Sequence, residues 1–132
     1  MRSDQSVISL YKKKSLKSKL VTQLLYGETF KTIKKDGSWI KIKNDIDNYK
    51  GYIKNRKFLS NQKNTHKVCN LSAKLYSKPN SKINKKLTFG SKIRVIEKKN
   101  NFYKFDNLWI KKKDLKKINY KTKDVFKFHF FS

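Results

Sequence analysis

The chain has 132 residues, of which 35 are Lys or Arg and nine are Asp or Glu, so its formal net charge at pH 7 is +26. This length allows one average domain or two small ones. Hydrophobic residues make up 36% of the sequence, and neither an apolar run of membrane-spanning length nor a cleavable leader is visible, so we expect no membrane insertion and no export and favour the cytoplasm.

The charge alone does not identify a partner. Each lysine that neutralises a phosphate releases a counterion, so attraction to polyanions is expected. Only three of the basic residues are arginine, however, and arginine is the residue suited to bidentate recognition of phosphate or guanine. Lysines spread evenly along the chain are also typical of an AT-rich coding sequence. We therefore expect weak, non-specific polyanion binding.

The apolar spacing predicts short β-strands. Ile40 and Ile42 alternate with polar or aromatic neighbours, and Ile93 and Val95 do the same later in the chain. The dipeptide Asp36-Gly37 is a hairpin signal between two such runs. Asn100-Asn101 predicts a second hairpin, and no segment from residue 6 to 115 shows a helical stripe. Five short strands per half indicate small antiparallel barrels.

The two halves of the chain resemble each other. The motif LLYGE at 24–28 aligns with LTFGS at 87–91, and matched positions continue along the chain: Leu10 with Leu75, Ile33 with Ile96, Trp39 with Phe102, Ile42 with Phe105, and residues 51–53 with 108–110. This pattern predicts two copies of one unit of roughly 55 residues. We place the first domain at residues 1–60 and the second at 61–118, with a linker or the start of a further domain at 119–132.

These motifs carry a resemblance to a known family. LLYGE, DGSWIKI and DNYKGYI, followed by a second unit that ends in LWIKKKDL, resemble the paired bacterial SH3-like domains at the N-terminus of NlpC-type cell-wall cysteine peptidases. The resemblance covers about 115 of the 132 residues and implies an all-β fold of two small SH3-like barrels in tandem. In that family a papain-like domain follows and cleaves peptidoglycan stem peptides after D-glutamate. No catalytic cysteine motif of that family is present, and the chain stops about where the catalytic domain would begin, so we expect this domain to be absent and the chain to be non-catalytic.

The cysteine and histidine residues predict no catalytic or metal site. Cys69 is the only cysteine, which excludes an internal disulfide and a cysteine-rich metal cage. In a strand, His66 would lie roughly 10 Å from it, too far for a thiolate and imidazole pair. We expect Cys69 to be a small buried hydrophobe. His129, in an apolar terminal segment, is interpreted as a residue without its packing partners and not as a ligand.

The stretch DIDNYKGYI at 45–53 combines two acids with two tyrosines. Gly51 is expected to permit a close approach, and the two residues after it to enter the barrel. The acids have no counterpart in the second half. In the peptidase family that the chain resembles, acidic and tyrosine groups of the first SH3-like unit help hold the free amino terminus of the stem peptide. The resemblance therefore implies ligand-binding roles for Asp45, Asp47, Tyr49 and Trp39.

The sequence thus predicts a non-catalytic targeting and substrate-gating module of a peptidoglycan stem-peptide hydrolase. Its expected partners are a stem peptide or cell-wall fragment and a C-terminal catalytic domain, and no cofactor is implied. One alternative is a basic small-barrel protein that binds single-stranded nucleic acid, with Trp39, Tyr49 and Tyr103 as stacking platforms. Another is a fragment of an active NlpC-type peptidase.

Overall fold

The computed structural model describes residues 1–120, which fall into two compact units. The first unit is Met1–Lys63, and the second begins at Asn64. Residue 129 and most of the predicted segment 119–132 lie outside the described residues. Within residues 1–120, no helix is long and apolar enough to cross a membrane.

The first unit is built from five strands, as the sequence predicts. They are β1 (Val7–Tyr11), β2 (Leu20–Leu25), β3 (Phe30–Asp36), β4 (Trp39–Asn44) and β5 (Lys50–Lys54). All neighbours pair antiparallel, in the order β2-β1-β5-β4-β3. Alternate residues point into one apolar core, which consists of Leu10, Leu24, Phe30, Ile40, Ile42, Ile53 and Phe58. The predicted inward alternation of β4 is confirmed.

Two local features of this sheet match the sequence and one does not. Asp36 pairs with Trp39 across a two-residue hairpin in which Gly37 has a φ of 61°. A Cβ on Gly51 would lie 3.1 Å from the Tyr11 carbonyl oxygen, which confirms the close approach. Tyr52, predicted to enter the barrel, is only half-buried. The reason is strand alternation, because Ile53 takes the inward position and Tyr52 must face the other way.

The second unit has more strands than the five predicted. They are β6 (His66–Val68), β7 (Ser72–Lys78), β8 (Ser81–Thr88), β9 (Lys92–Ile93), β10 (Glu97–Lys99), β11 (Phe102–Phe105), β12 (Leu108–Lys111) and β13 (Leu115–Lys117), with one 3-10 turn, Lys112–Asp114. A five-stranded sheet has the order β10-β11-β12-β7-β8, and a three-stranded sheet has the order β13-β6-β9. The predicted hairpin at Asn100-Asn101 is confirmed, since Lys99 pairs with Phe102.

The five-stranded sheets of the two units share one chain order. In the first unit the order is β2-β1-β5-β4-β3, and in the second unit, read from the opposite edge, it is β8-β7-β12-β11-β10. In both sheets the strands therefore follow the chain order second, first, fifth, fourth, third. Residues that the sequence alignment pairs occupy the same places, so that Ile42 and Phe105 are both fully buried and Trp39 and Phe102 both open the fourth strand. Each unit is a small antiparallel β-domain, and the predicted fold class, all-β with SH3-like barrels, is confirmed.

Candidate functional site

The loop between β4 and β5, residues 45–49, is organised by Asn44. The Asn44 side-chain oxygen accepts hydrogen bonds from the backbone N–H groups of Tyr49 (2.9 Å) and Asp47 (3.3 Å). Its backbone N–H donates to the Tyr49 carbonyl (3.0 Å), and its carbonyl accepts from the Asn48 N–H (3.1 Å). Asn48 closes the loop with a φ of 59°, a conformation that asparagine tolerates better than most residues. These four hydrogen bonds fix the loop.

Both carboxylate oxygens of Asp45 contact other side chains of the first unit. One carboxylate oxygen lies 2.7 Å from the Lys31 ammonium, and the other accepts a hydrogen bond of 2.6 Å from the Thr29 hydroxyl. The Lys31 ammonium and the Thr29 hydroxyl hold the pKa of Asp45 below its ordinary value. Because both oxygens are engaged, Asp45 anchors the base of the loop to β3 and is poorly placed to bind a ligand.

Asp47 and Tyr49 are presented to solvent. Asp47 is exposed at the tip of the loop, and the Tyr49 side chain is 52% exposed. Among the described residues, no side chain pairs with the Asp47 carboxylate or the Tyr49 hydroxyl. The loop therefore holds one free carboxylate and one accessible tyrosine on a backbone that is fixed by Asn44.

Trp39 lies at the opposite end of β4 from this loop. The six residues of β4 separate the two ends by roughly 20 Å. Its ring is only 8% exposed and meets the ring of Tyr11 edge-on, with 6.1 Å between the centroids. The Lys54 ammonium covers it at 4.3 Å from the ring centroid, a cation-π contact. The structure thus divides the four predicted ligand-binding residues between two places, and Trp39 belongs to a packed cluster.

Two of the three aromatic rings that the nucleic-acid hypothesis requires for base stacking are buried. Tyr103 is 9% exposed and is packed edge-on against His66, with 5.4 Å between the ring centroids. Trp39 is covered as described above. Of the three proposed platforms, only Tyr49 offers an open ring, whereas stacking along a single strand requires a series of them.

Cys69 and His66 do not form a catalytic pair in the second unit. The Cys69 sulfur lies 3.9 Å from the Lys113 carbonyl, and the His66 ring is hydrogen-bonded to the Thr65 hydroxyl at 2.8 Å. Burial raises the pKa of the Cys69 thiol, the opposite of what a nucleophile requires. Cys69 was predicted to be a buried core residue, and this prediction is wrong because Cys69 is only half-buried. It follows the last residue of β6, where the inward alternation of the strand ends. Within residues 1–120, no three His, Cys, Asp or Glu side chains are grouped as a metal site.

Asn44, the residue that shapes the loop, was not predicted from the sequence. The signal was present, because Asn44 continues the inward alternation of Ile40 and Ile42 and so places a polar side chain on the buried face. Asn44 is 2% exposed. A buried polar group needs hydrogen-bond partners, and here those partners are the backbone N–H groups of the loop that follows.

Residues 10–58 match the family described as the SH3 domain of bacterial dipeptidyl-peptidases. This segment is therefore similar to the SH3 domain of that family. The match begins at Leu10 within β1, contains β2 to β5 and includes the whole loop from Asp45 to Tyr49. The resemblance drawn from LLYGE, DGSWIKI and DNYKGYI is thereby confirmed for the first unit.

A solved structure supports the fold of both units. An NlpC/P60 family protein from Bacillus cereus ATCC 10987 superposes with a TM-score of 0.70 at 16% sequence identity. The alignment covers 87% of this chain and 55% of that protein, so the chain spans about half of its length. No curated protein sequence matches the chain significantly.

Proposed function

We propose that the chain is a tandem SH3-like module of a peptidoglycan stem-peptide hydrolase, in which the loop at 45–49 receives the amino terminus of the peptide. The observation that carries this proposal is the free Asp47 carboxylate and exposed Tyr49 on a fixed loop, within an SH3 domain of the dipeptidyl-peptidase family. A dipeptidyl-peptidase removes two residues from a free amino end, so its substrate carries an ammonium group there.

The chemistry of the loop suits an ammonium group. A hydrogen bond to a charged group contributes about 1.5 to 3 kcal/mol, and an exposed tyrosine ring adds cation-π attraction. In a chain of net charge +26, a carboxylate without an ion pair is an uncommon acceptor for a cation. The binding role that the sequence predicted for four residues is therefore narrowed to Asp47 and Tyr49, with Asp45 as an anchor.

The second unit is proposed to be a second copy of the same domain. The shared strand order and the matched buried positions support this interpretation, as does the division of the chain into two compact units after Lys63. The likeness to an NlpC/P60 family protein supports a catalytic domain as the partner of the module. In this arrangement the loop forms one wall of the cleft that the catalytic domain completes.

The proposal is tested by Asp47→Asn. The change removes the charge but keeps a turn-forming residue, so folding should be retained. Binding of a stem peptide with a free terminal L-alanine, measured by NMR titration of this chain, should weaken about tenfold or more, since 1.4 kcal/mol is one decade.

Asp36→Asn is the matched control. It removes the same charge from the same unit, at the hairpin that lies at the other end of β4, where Asp36 pairs with Lys14. Peptide binding should change less than about twofold, because screening limits charge effects to about 8 Å at physiological salt. Equal weakening by the two variants would show a general charge effect and contradict the loop assignment.

A further inference from the structure

The second unit contains an open cleft of about 950 Å³. Its walls come from the start of β6, the start of β11, the end of β12, the 3-10 turn, β13 and the turn between β7 and β8. The Lys112 N–H donates to the Asn101 carbonyl (2.8 Å), which ties the 3-10 turn to the β10–β11 hairpin. The Lys67 ammonium donates to the Tyr120 carbonyl (2.7 Å), which fixes the far wall. The cleft is therefore formed by connected elements of one unit.

The charge of the cleft is positive throughout. Five of its lining residues are lysines, namely Lys111, Lys112, Lys113, Lys116 and Lys117, and no described lining residue is acidic. Two of these ammonium groups lie over rings, Lys111 over Tyr76 and Lys116 over Tyr120. The other three have no ion-pair partner among residues 1–120. Asp114, which lies between them in sequence, is buried and accepts a hydrogen bond from Asn70 at 2.6 Å.

Neutral groups complete the lining. Asn80, Asn101 and Asn119 bring side-chain amide donors, while Phe102 and Tyr103 form apolar walls. His66 lies in the same cleft, and burial together with the positive charges of Lys98 and Lys117 lowers its pKa. Lys112, Lys113 and Lys117 bring three ammonium groups without a described ion-pair partner to one cleft, and a bound anion would reduce the repulsion between them.

We propose that this cleft binds a polyvalent phosphate-bearing anion. Lysine binds phosphate as a compact point charge, whereas arginine binds phosphate or carboxylate through a planar bidentate fork. Of the three arginines, none lines the cleft. The rings of Phe102 and Tyr103 are buried, and the Lys116 ammonium lies over the Tyr120 ring, so the proposed contacts are with phosphate and not with nucleobases. This site is independent of the loop at 45–49.

The test uses the full chain, inorganic tripolyphosphate as the probe and calorimetry at physiological salt. We expect one tripolyphosphate per chain. The triple variant Lys112→Gln, Lys113→Gln, Lys117→Gln should weaken binding about tenfold or more, since hydrogen bonds to charged groups are involved. The control variant Lys74→Gln, Lys82→Gln, Lys85→Gln removes three exposed lysines of β7 and β8 that do not line the cleft. It should change binding less than about threefold. Equal weakening by both variants, or several equivalent sites per chain, would overturn the proposal.

A second readout reports from inside the cleft. Bound phosphate places negative charge near the imidazole, so tripolyphosphate should raise the pKa of His66, measured by NMR titration of the ring protons. The signals of the other histidine are assigned with His129→Gln. In the triple variant, the same concentration of probe should leave the pKa of His66 unchanged. A pKa of His66 that does not respond in the original chain would contradict the assigned location.

Two further probes separate the sources of phosphate. Oligothymidylate and a base-free glycerol-phosphate chain of equal charge should bind with affinities within about threefold of each other, because the proposed contacts join lysine ammonium groups to phosphate. Tighter binding of the oligothymidylate by tenfold or more would show that bases are read and would overturn the proposal.

Discussion

At the scale of single residues, two aspartates in one loop have different roles because their neighbours differ. Asp45 faces β3, where Lys31 and Thr29 take both of its oxygens. Asp47 stands two residues further on at the exposed tip, where only its backbone N–H is engaged. The first residue holds the loop in place, and the second leaves its charge available.

Asp45→Asn should therefore destabilise the first unit, and the loss should depend on pH. The folded state lowers the pKa of Asp45 below its ordinary value of 3.8. Its contribution is thus present above that value and is lost as the pH falls through the folded pKa. At pH 7 the variant should lose about 1 kcal/mol of unfolding free energy. Urea unfolding should show this difference shrinking between pH 5 and pH 2.

Asp47→Asn is the control for this measurement. Its carboxylate has no partner among the described residues, so its unfolding free energy should stay close to that of the original chain at both pH values. A gap between Asp45→Asn and the original chain that stays constant down to pH 2 would show that the ion pair and the Thr29 hydrogen bond do not stabilise the fold.

At the scale of elements, the first unit depends on the close approach of β5 to β1. Tyr11 pairs with Tyr52 across these strands, and a Cβ on Gly51 would lie 3.2 Å from two side-chain carbons of Leu10. Leu10 is fully buried in the core. Added volume at residue 51 must therefore displace either the β1 backbone or a core side chain.

Gly51→Ala should lower the unfolding free energy by about 1 to 3 kcal/mol, the usual cost of overpacking. Gly37→Asn is its counterpart, because nothing lies within 4 Å of a Cβ on Gly37 and asparagine tolerates its φ of 61°. Thermal unfolding should show a clear loss for the first variant and a change below about 1 kcal/mol for the second. Comparable stability of the two variants would mean that β5 can move away from β1.

Features set by near neighbours in the chain could be predicted from the sequence. The alternation of Ile40 and Ile42 and the hairpin signals at Asp36-Gly37 and Asn100-Asn101 are local, and all were correct. The contacts of Asp45 with Lys31 and Thr29 join residues 14 and 16 positions apart in the chain. They form only when the strands pair, so the local sequence could not predict them. The distance of Trp39 from the loop likewise follows from the length of β4. The cleft was missed although its five lysines all lie within residues 111–117, because its other lining residues, among them His66, Asn80 and Asn101, come from distant segments of the chain.

At the scale of the whole molecule, positive charge dominates, so an unpaired negative group indicates function better than the net charge does. With a net charge of +26, weak attraction of any polyanion is expected and distinguishes no function. The loop fixed by Asn44 carries such a group, because it presents an exposed tyrosine and a carboxylate that has no partner among residues 1–120. We propose that this loop recognises a peptide amino terminus.

The most direct test compares a stem peptide that has a free terminal L-alanine with the same peptide acetylated at that amine. Both are titrated into this chain and into Asp47→Asn, and the dissociation constants are measured by NMR, which detects millimolar binding. We expect acetylation to weaken binding to the original chain about tenfold, and to weaken binding to Asp47→Asn less than about twofold, because the partner of the ammonium has been removed. Equal affinity of the free and acetylated peptides for the original chain would contradict the claim and reduce the loop to a connection between two strands.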